Sequence, residues 1–181
     1  FGTKYVLEAL SEYASPENVF AIVNSTEYPG WGHMIDRGAT TVWETWKESD
    51  NTYSNCHPMF GSVSEWFYRW LGGIRPSDSE PGFKKFIISP AVPDEIDFVN
   101  CSYHSPFGEI RSDWKKDGYK SIQYHIRVPE GSTAFVDLQP GKIQKAEIIK
   151  DGQVLKNIVP KGIKEGRFEL NRGEYLITAH L

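Results

Sequence analysis

The residue pattern of the chain changes at about Gly73, and this change limits the fold more than any other feature of the sequence. Before that point apolar residues recur every three to four positions, as Val6, Leu7 and Leu10 do, which is typical of amphipathic helices. After it, short runs alternate between apolar and polar residues, as in residues 121–128, which is typical of half-buried strands. The sequence therefore predicts a helical part followed by a sheet part.

The stretch between the two parts is rich in turn-forming residues. It reads Arg-Pro-Ser-Asp-Ser-Glu-Pro-Gly, and such clusters mark linkers and loops. We therefore predict a multidomain α plus β chain, in which residues 1–74 are helical, residues 75–82 are the linker, and residues 83–181 form an antiparallel β-sandwich. We expect no long helix between Ser121 and Leu181.

Local signals place the ends of several elements. Ser15-Pro16-Glu17 predicts a helix start, and Gly72-Gly73 predicts a helix end. The Pro and Gly residues of segment 28–32 predict a break, with glycine supplying positive φ angles. Segments 41–44 and 62–65 fit the capping-box pattern of a helix start, and residues 47–58 between them predict a loop. The Asp-Gly pairs at 117–118 and 151–152 predict hairpin turns.

Charge and composition exclude some classes of function. The net charge is −4 and the pI is near 5.8, which disfavours a nucleic-acid partner because phosphate binding needs clustered Lys and Arg. The longest apolar runs are only a few residues, far short of a membrane span. Cys56 and Cys101 have no zinc-site spacing and no redox motif, although a disulfide between them stays open. We predict no cofactor and no metal.

Aromatic residues make up 14% of the chain, and four of its six Trp lie close together: Trp31, Trp43, Trp46 and Trp66. One interpretation is a core built from large side chains. The other is a cleft whose ring faces stack on a sugar, which makes Trp31 and Trp43 candidate substrate-binding residues.

Two polar residues in this region are candidates for chemistry. Glu44 is either the acidic residue of a capping box or, between Trp43 and Trp46, a carboxylate that takes a proton from water. His57 is either a solvated loop side chain or a ligand for substrate. The sequence contains no Gly-x-Ser-x-Gly and no glycine-rich phosphate loop.

Several motifs of the chain together resemble the bacterial α-L-rhamnosidases, glycoside hydrolase family 78. The most specific is Gly-Ala-Thr-Thr-Val-Trp-Glu at residues 38–44. The other matching runs follow in the same order along the chain: Thr-Glu-Tyr-Pro-Gly-Trp-Gly at 26–32, Cys-His at 56–57, Phe-Gly-Ser-Val-Ser-Glu-Trp-Phe-Tyr-Arg at 60–69, Gly-Gly-Ile-Arg-Pro at 72–76, Pro-Gly-Phe-Lys at 81–84 and Ser-Tyr-His-Ser-Pro-Phe-Gly at 102–108. They cover about the first two-thirds of the chain, and the remainder fits only loosely.

The resemblance implies both a fold and a reaction. The helices would be the last ones of an (α/α)₆ barrel catalytic domain, followed by the family's terminal β-sandwich. The reaction would be hydrolysis of terminal α-L-rhamnosyl bonds in rhamnosides with inversion. Glu44 would be the general base that activates water, and His57 would bind the sugar. Cys56 stands where the family usually has Asn, which affects the shape expected for the sugar subsite.

The resemblance also implies that part of the catalytic site is missing from this chain. The family's general acid lies upstream, so we expect the isolated chain to be an inactive C-terminal fragment, whose helical part exposes an apolar patch or self-associates. The partner is expected to be a rhamnose-containing glycoside or polysaccharide. Without the upstream sequence, bacterial cytoplasm and periplasm both stay open as locations. Two alternatives remain: a non-catalytic sugar-binding homologue, and an (α/α)₆ glycosidase for another sugar.

Overall fold

The structure is a computed structural model of the chain. It describes residues 2–47, 54–138, 143–155 and 167–181. These residues form two compact units, one made of residues 1–67 and 92–95 and the other of residues 68–91 and 96–181. Residues 48–53 of the loop predicted at 47–58 lie outside the described residues.

The first unit is built from short helices. They are α1 (Gly2–Tyr13), α2 (Pro16–Asn24), α3 (Trp31–Asp36), a 3₁₀ helix (Pro58–Ser62) and α4 (Val63–Trp66). Helix α2 starts as predicted, because Pro16 occupies its first turn and the Ser15 hydroxyl accepts a hydrogen bond of 3.4 Å from the amide of Asn18. This bond satisfies one of the amides that a helix start leaves without a partner.

The core of this unit forms around α1, α2 and α4. Leu7, Val19 and Trp66 are at most 2% exposed, and the Trp66 indole N–H donates to the Ser11 hydroxyl at 2.7 Å. Several large apolar side chains of the same helices lie at the surface instead: Tyr5, Val6, Tyr13 and Ile22.

Both capping-box predictions are wrong. Residues 41–44 form no helix, because their polar groups bond to residues 54–57 instead. At the second position the helical backbone already begins at Pro58, so Ser62 has helical angles and its side chain makes no capping bond. The acidic residue of that pattern, Glu65, pairs with Lys4 at 2.7 Å, and this contact raises the pKa of the Lys4 ammonium.

The predicted helix end at Gly72-Gly73 is confirmed. A short π-helical segment, Phe67–Leu71, stops there, and Gly73 has a φ of 73°, a conformation that favours glycine. A Cβ atom at Gly73 would also overlap the backbone of Ser89 and Pro90. Glycine is therefore needed at this position both for its conformation and for its close packing.

The second unit is a sheet of nine strands. They are β1 (Ile74–Pro76), β2 (Lys85–Ile88), β3 (Phe98–Val99), β4 (Ser102–Ser105), β5 (Gly108–Asp117), β6 (Ser121–Asp137), β7 (Lys145–Lys150), β8 (Gln153–Val154) and β9 (Arg167–His180). The strand order is β1-β2-β6-β9-β7-β8, and β5 lies beside β6 with β3 and β4 on its other edge. Alternate residues of the long strands are buried, with Phe86, Ile110, Ile126 and Ile177 fully so.

Strand β6 is longer than the alternating run at residues 121–128 predicts. It continues to Asp137, and its register with β9 shifts between Val128 and Thr133. The first part of β6 pairs with β5 and the second with β2. Strand β6 therefore runs through two groups of neighbours, whereas β9 pairs with β6 along its length and with β7 only from Tyr175 to His180.

The sheet also differs from the predicted antiparallel arrangement at one pair. Strand β2 pairs with β6 in parallel, whereas the other pairs are antiparallel. A parallel pair needs a long connection, which the chain between β2 and β6 supplies. Strand β1 in turn pairs with β2, so the first residues of the predicted linker at 75–82 belong to the sheet.

The described residues between Ser121 and Leu181 contain strands and turns but no helix, as expected. The predicted hairpin at Asp151-Gly152 joins β7 to β8, with positive φ angles of 48° and 80°. Over the described part of the chain, no helix is both long enough and apolar enough to cross a membrane.

Candidate active site

The candidate site is built on two extended segments of the first unit, residues 41–44 and 54–57, called here the paired segments. The Glu44 amide donates to the Ser54 carbonyl at 2.9 Å, and the His57 amide donates to the Val42 carbonyl at 2.8 Å. The Thr41 hydroxyl donates to the carbonyl of Asn55. These bonds run antiparallel, so the two candidate residues, Glu44 and His57, belong to the same small element.

The carboxylate of Glu44 is held by the main chain. Its Oε2 accepts a hydrogen bond of 2.8 Å from the Ser54 amide, and bonds from N–H groups to carboxylates are charge-assisted and stronger than neutral ones. The side chain is half-buried. Together with the amide-to-carbonyl bond between the same two residues, this contact fixes both ends of the glutamate relative to Ser54.

The ring of His57 is oriented by a different bond. Its Nδ1 accepts from the Met59 amide at 3.2 Å, so His57 is the N-cap of the 3₁₀ helix that begins at Pro58. An amide can only donate, so this bond requires an unprotonated Nδ1. The neutral ring then carries its proton on Nε2. His57 therefore presents an N–H donor on the side of the ring that faces away from the helix start.

A cluster of aromatic rings lies beside the paired segments. Trp46 stacks on Phe60 with ring centroids 3.9 Å apart, and Trp31 meets Trp46 edge-on at 5.0 Å. The Trp31 indole N–H donates to the Phe60 carbonyl at 2.9 Å. Trp31 and Trp43 are 9% and 5% exposed, so little of either ring is available to a ligand in this chain, and their assignment to the substrate stays a prediction.

The Gly-Trp-Gly motif at residues 30–32 is explained by close packing. A Cβ on Gly32 would lie 2.6 Å from the Ser25 carbonyl oxygen, and one on Gly30 would lie 2.8 Å from the carbonyl oxygen of Glu27. Gly30 does not use the positive φ that glycine permits, since its φ of −167° is extended backbone. Glycine at these positions allows the start of α3, and with it Trp31, to lie against the preceding turn.

A groove of about 540 Å³ opens next to the site. It is lined mainly by apolar side chains from α2 and α3, and Thr41 and Val42 of the paired segments also border it. Glu44 and His57 are not among its lining residues. Within the described residues, no three His, Cys, Asp or Glu side chains come together as metal ligands.

Ser54 is the functional residue that the sequence did not reveal. Its hydroxyl accepts from the Cys56 amide at 3.1 Å and donates to the carbonyl of Cys56 at 2.9 Å, which shapes the turn before His57. Its contact with Glu44 is made by the backbone, and a backbone donor leaves no pattern in residue types. Cys56 is an exposed free thiol and Cys101 a buried one, so the structure holds no disulfide between them.

Comparisons with known proteins agree over most of the chain. Residues 1–71 match the bacterial alpha-L-rhamnosidase 6 hairpin glycosidase domain, and residues 73–152 match the bacterial alpha-L-rhamnosidase C-terminal domain. An alpha-L-rhamnosidase of Formosa agariphila is 28% identical over 87% of the chain, and one of an Alteromonas species is 31% identical over 93%. The solved alpha-L-rhamnosidase of Dictyoglumus thermophilum superposes on 98% of the chain with a TM-score of 0.82 and 28% identity.

The chain spans a small share of these relatives. It covers 17% of the Formosa protein, 19% of the Alteromonas protein and 20% of the solved structure. The two domain matches are consecutive, come from one family and together take in well over half of the residues. The chain therefore belongs to the bacterial α-L-rhamnosidase family, of which it carries part of the glycosidase domain and the C-terminal domain.

Proposed function

We propose that this chain supplies the general-base half of an enzyme that hydrolyses terminal α-L-rhamnosyl bonds with inversion. The observation that carries the proposal is the placement of Glu44 and His57 on one pair of segments, inside the region that matches the glycosidase domain. The relatives named alpha-L-rhamnosidase support the sugar, a rhamnose-containing glycoside or polysaccharide.

The chemistry assigns one role to each residue. In an inverting glycosidase a carboxylate removes a proton from water while a carboxylic acid protonates the leaving oxygen, and the two groups stand about 6.5–9.5 Å apart. Glu44 is the base, because its side chain is half-buried and its carboxylate is oriented by an amide. His57 donates its Nε2 proton to a hydroxyl group of the sugar. The general acid lies outside this chain, so the isolated chain is inactive.

The finer fold follows from the same family. The helices within residues 1–74 are the last ones of an (α/α)₆ barrel, and residues 83–181 belong to a terminal β-sandwich. Residues 75–82 connect the two, although Arg75 and Pro76 already pair with β2. The two groups of neighbours along β6 support a sandwich, since a strand that bends at a register shift can pass from one layer to the other. The exposed apolar side chains of α1 and α2 support a surface that other helices, or a second copy of the chain, would cover.

Substitution of Glu44 tests the function directly. In the complete enzyme Glu44→Gln keeps the side-chain volume but removes the base, so kcat on an aryl α-L-rhamnoside should fall by about 10²–10⁴-fold. The thermal midpoint should be measured in parallel, because Gln can still accept the bond from Ser54 and the variant should stay folded. A kcat within a few-fold of wild type would refute the assignment of Glu44.

The product provides an independent test. NMR of the first-formed sugar should show the β-anomer released from an α-linked substrate, because water attacks the face opposite the leaving group. An initial α-anomer would require a covalent intermediate, and Glu44 could not then act on water alone. Assay of a panel of aryl glycosides separates a rhamnosidase from a glycosidase for another sugar, and binding without turnover would indicate a sugar-binding homologue.

A further inference from the structure

We infer that the main-chain amide of Ser54 is the positioning group for the catalytic carboxylate, and that it fixes Glu44 so that Oε1 is the oxygen that receives the proton from water. This inference rests on the proposed role of Glu44 as the base. It assigns a function to a residue whose side chain has no part in the reaction.

Two reciprocal hydrogen bonds join residues 44 and 54. The Glu44 amide donates to the Ser54 carbonyl at 2.9 Å, and the Ser54 amide donates to Glu44 Oε2 at 2.8 Å. The carboxylate thus occupies the place that a backbone carbonyl would have in a continuous antiparallel ladder. A glutamate side chain has three rotatable bonds, and a fixed partner at its far end selects one arrangement of them.

The two carboxylate oxygens of Glu44 have different roles. Oε2 accepts the bond from the Ser54 amide, and among the described residues no hydrogen bond to Oε1 is found, so we assign the acceptance of the proton to Oε1. General-base catalysis depends on geometry, because the base must lie within hydrogen-bond reach of the proton it removes. A misplacement of about 1 Å can cost about 10²-fold in rate. The Ser54 amide supplies this geometry through a group that is not itself ionisable.

Ser54 itself is held by further hydrogen bonds. Its hydroxyl bonds to both the amide and the carbonyl of Cys56, and the next amide along, that of His57, bonds to Val42. The Thr41 hydroxyl also donates to the carbonyl of Asn55, the residue after Ser54. The amide that holds Glu44 therefore belongs to a segment that is fixed at several points.

A matched pair of variants tests the inference in the complete enzyme. Ser54→Pro removes the amide proton, and Ser54→Ala keeps it while removing the hydroxyl. We expect Ser54→Pro to lower kcat by between about tenfold and 10²-fold with KM within about threefold of wild type. Ser54→Ala keeps the amide but loses the bonds of the hydroxyl to Cys56, so it should lower kcat clearly less, by about threefold. A structural defect of the segment alone would also move KM, because His57 lies on the same segment.

The outcomes separate the inference from the proposed function. If Glu44→Gln is inactive but Ser54→Pro matches Ser54→Ala, the positioning role is refuted and the base remains. If Glu44→Gln is active, the proposed function itself fails. Equal losses in both Ser54 variants would also refute the inference, since they would assign the effect to the hydroxyl.

A spectroscopic measurement covers the case in which Ser54→Pro does not fold. In the ¹⁵N-labelled chain of 181 residues, the Ser54 amide proton should resonate downfield, as expected for a short bond to a carboxylate, and should move upfield in Glu44→Gln. The Met59 amide, which bonds to His57, is the control and should stay in place. A Ser54 amide that does not respond to Glu44→Gln would overturn the inference.

Discussion

The substitution Trp114→Phe tests the hydrogen bond by which strand β5 of the second unit stabilises the end of the π-helical segment Phe67–Leu71. Trp114 lies in β5, is 1% exposed, and donates its indole N–H to the Leu71 carbonyl at 2.9 Å. Leu71 ends the π-helical segment, so its carbonyl is one of the groups that a helix end leaves without an internal partner. Phenylalanine keeps an aromatic ring in the core but has no N–H group.

The expected loss has two parts. A buried carbonyl left without a partner costs about 1–3 kcal/mol, and the smaller ring leaves a cavity that adds about 1 kcal/mol. The free energy of unfolding should therefore fall by about 2–4 kcal/mol. For a chain of this length each kcal/mol lowers the thermal midpoint by about 2–4 °C, so the midpoint should fall by about 4–16 °C.

Trp70→Phe is the matched control within the same unit. Trp70 is 9% exposed, and its buried indole N–H has no hydrogen-bond partner among the described residues. The guanidinium of Arg75 lies 4.7 Å from the centre of its ring, and a phenyl ring would still offer it a face. This variant loses ring volume but no hydrogen bond, so it should cost about 1 kcal/mol or less.

Urea unfolding followed by far-UV circular dichroism measures both variants, with the slope m checked for equality before the midpoints are compared. We expect the free energy of unfolding of Trp114→Phe to be lower than that of Trp70→Phe by at least about 1 kcal/mol. If the two free energies of unfolding agree within about 0.5 kcal/mol, the hydrogen bond to Leu71 contributes nothing measurable and the argument is wrong.

Two other residues give predictions of the same kind. His57→Asn should keep the cap on the Met59 amide and leave the free energy of unfolding unchanged, whereas His57→Ala should lower it by about 0.5–2 kcal/mol in thermal melts. In the complete enzyme both variants should raise KM. A wild-type KM for His57→Asn would refute the contact of His57 with the sugar. Burial, with a smaller effect of Asp113, raises the pKa of the Cys101 thiol from 9.0 to about 11. Because this folded-state pKa lies above the unfolded value, the contribution is fully present below pH 9 and is lost as pH rises through about 11, so the free energy of unfolding should fall by up to about 2–3 kcal/mol across that window. The same slope in Cys101→Ala would refute this cause.

Features with a local cause were predictable from the sequence. The start of α2 depends on Ser15 and Pro16, which are adjacent, and the hairpin at Asp151-Gly152 depends on two residues that accept positive φ angles. The recurrence of Val6, Leu7 and Leu10 predicts a helix, and α1 runs over Gly2–Tyr13. In each case the residues that determine the structure are neighbours in the chain.

Features that depend on distant partners were not predictable. Residues 41–44 have the composition of a helix start, but their polar groups bond to residues 54–57, and nothing in either segment alone indicates the pairing. The parallel register of β2 with β6 and the continuity of β6 across the irregularity after Val128 have the same origin. Alternation defines a strand but does not name its neighbour.

The candidate site also depends on partners that the sequence does not identify. The identities of Glu44 and His57 came from resemblance to a family, and their spacing along the chain did not distinguish a base from a cap. The structure adds the partners of each: an amide from Ser54 for the carboxylate and an amide from Met59 for the ring. Both partners are backbone groups, so no comparison of residue types could have identified them.

Orientation by backbone amides has a consequence for how the two residues work together. Neither amide can titrate, so the groups that hold Glu44 and His57 keep the same charge over the whole pH range in which an enzyme acts. Both residues belong to the paired segments but are held by separate bonds: the Ser54 amide holds Glu44, the proposed base, and the Met59 amide holds His57, the proposed sugar ligand. Loss of the first bond should appear in kcat and loss of the donor on His57 in KM. Because each residue has its own backbone partner on the same pair of segments, single substitutions should affect the chemical step and the binding step separately.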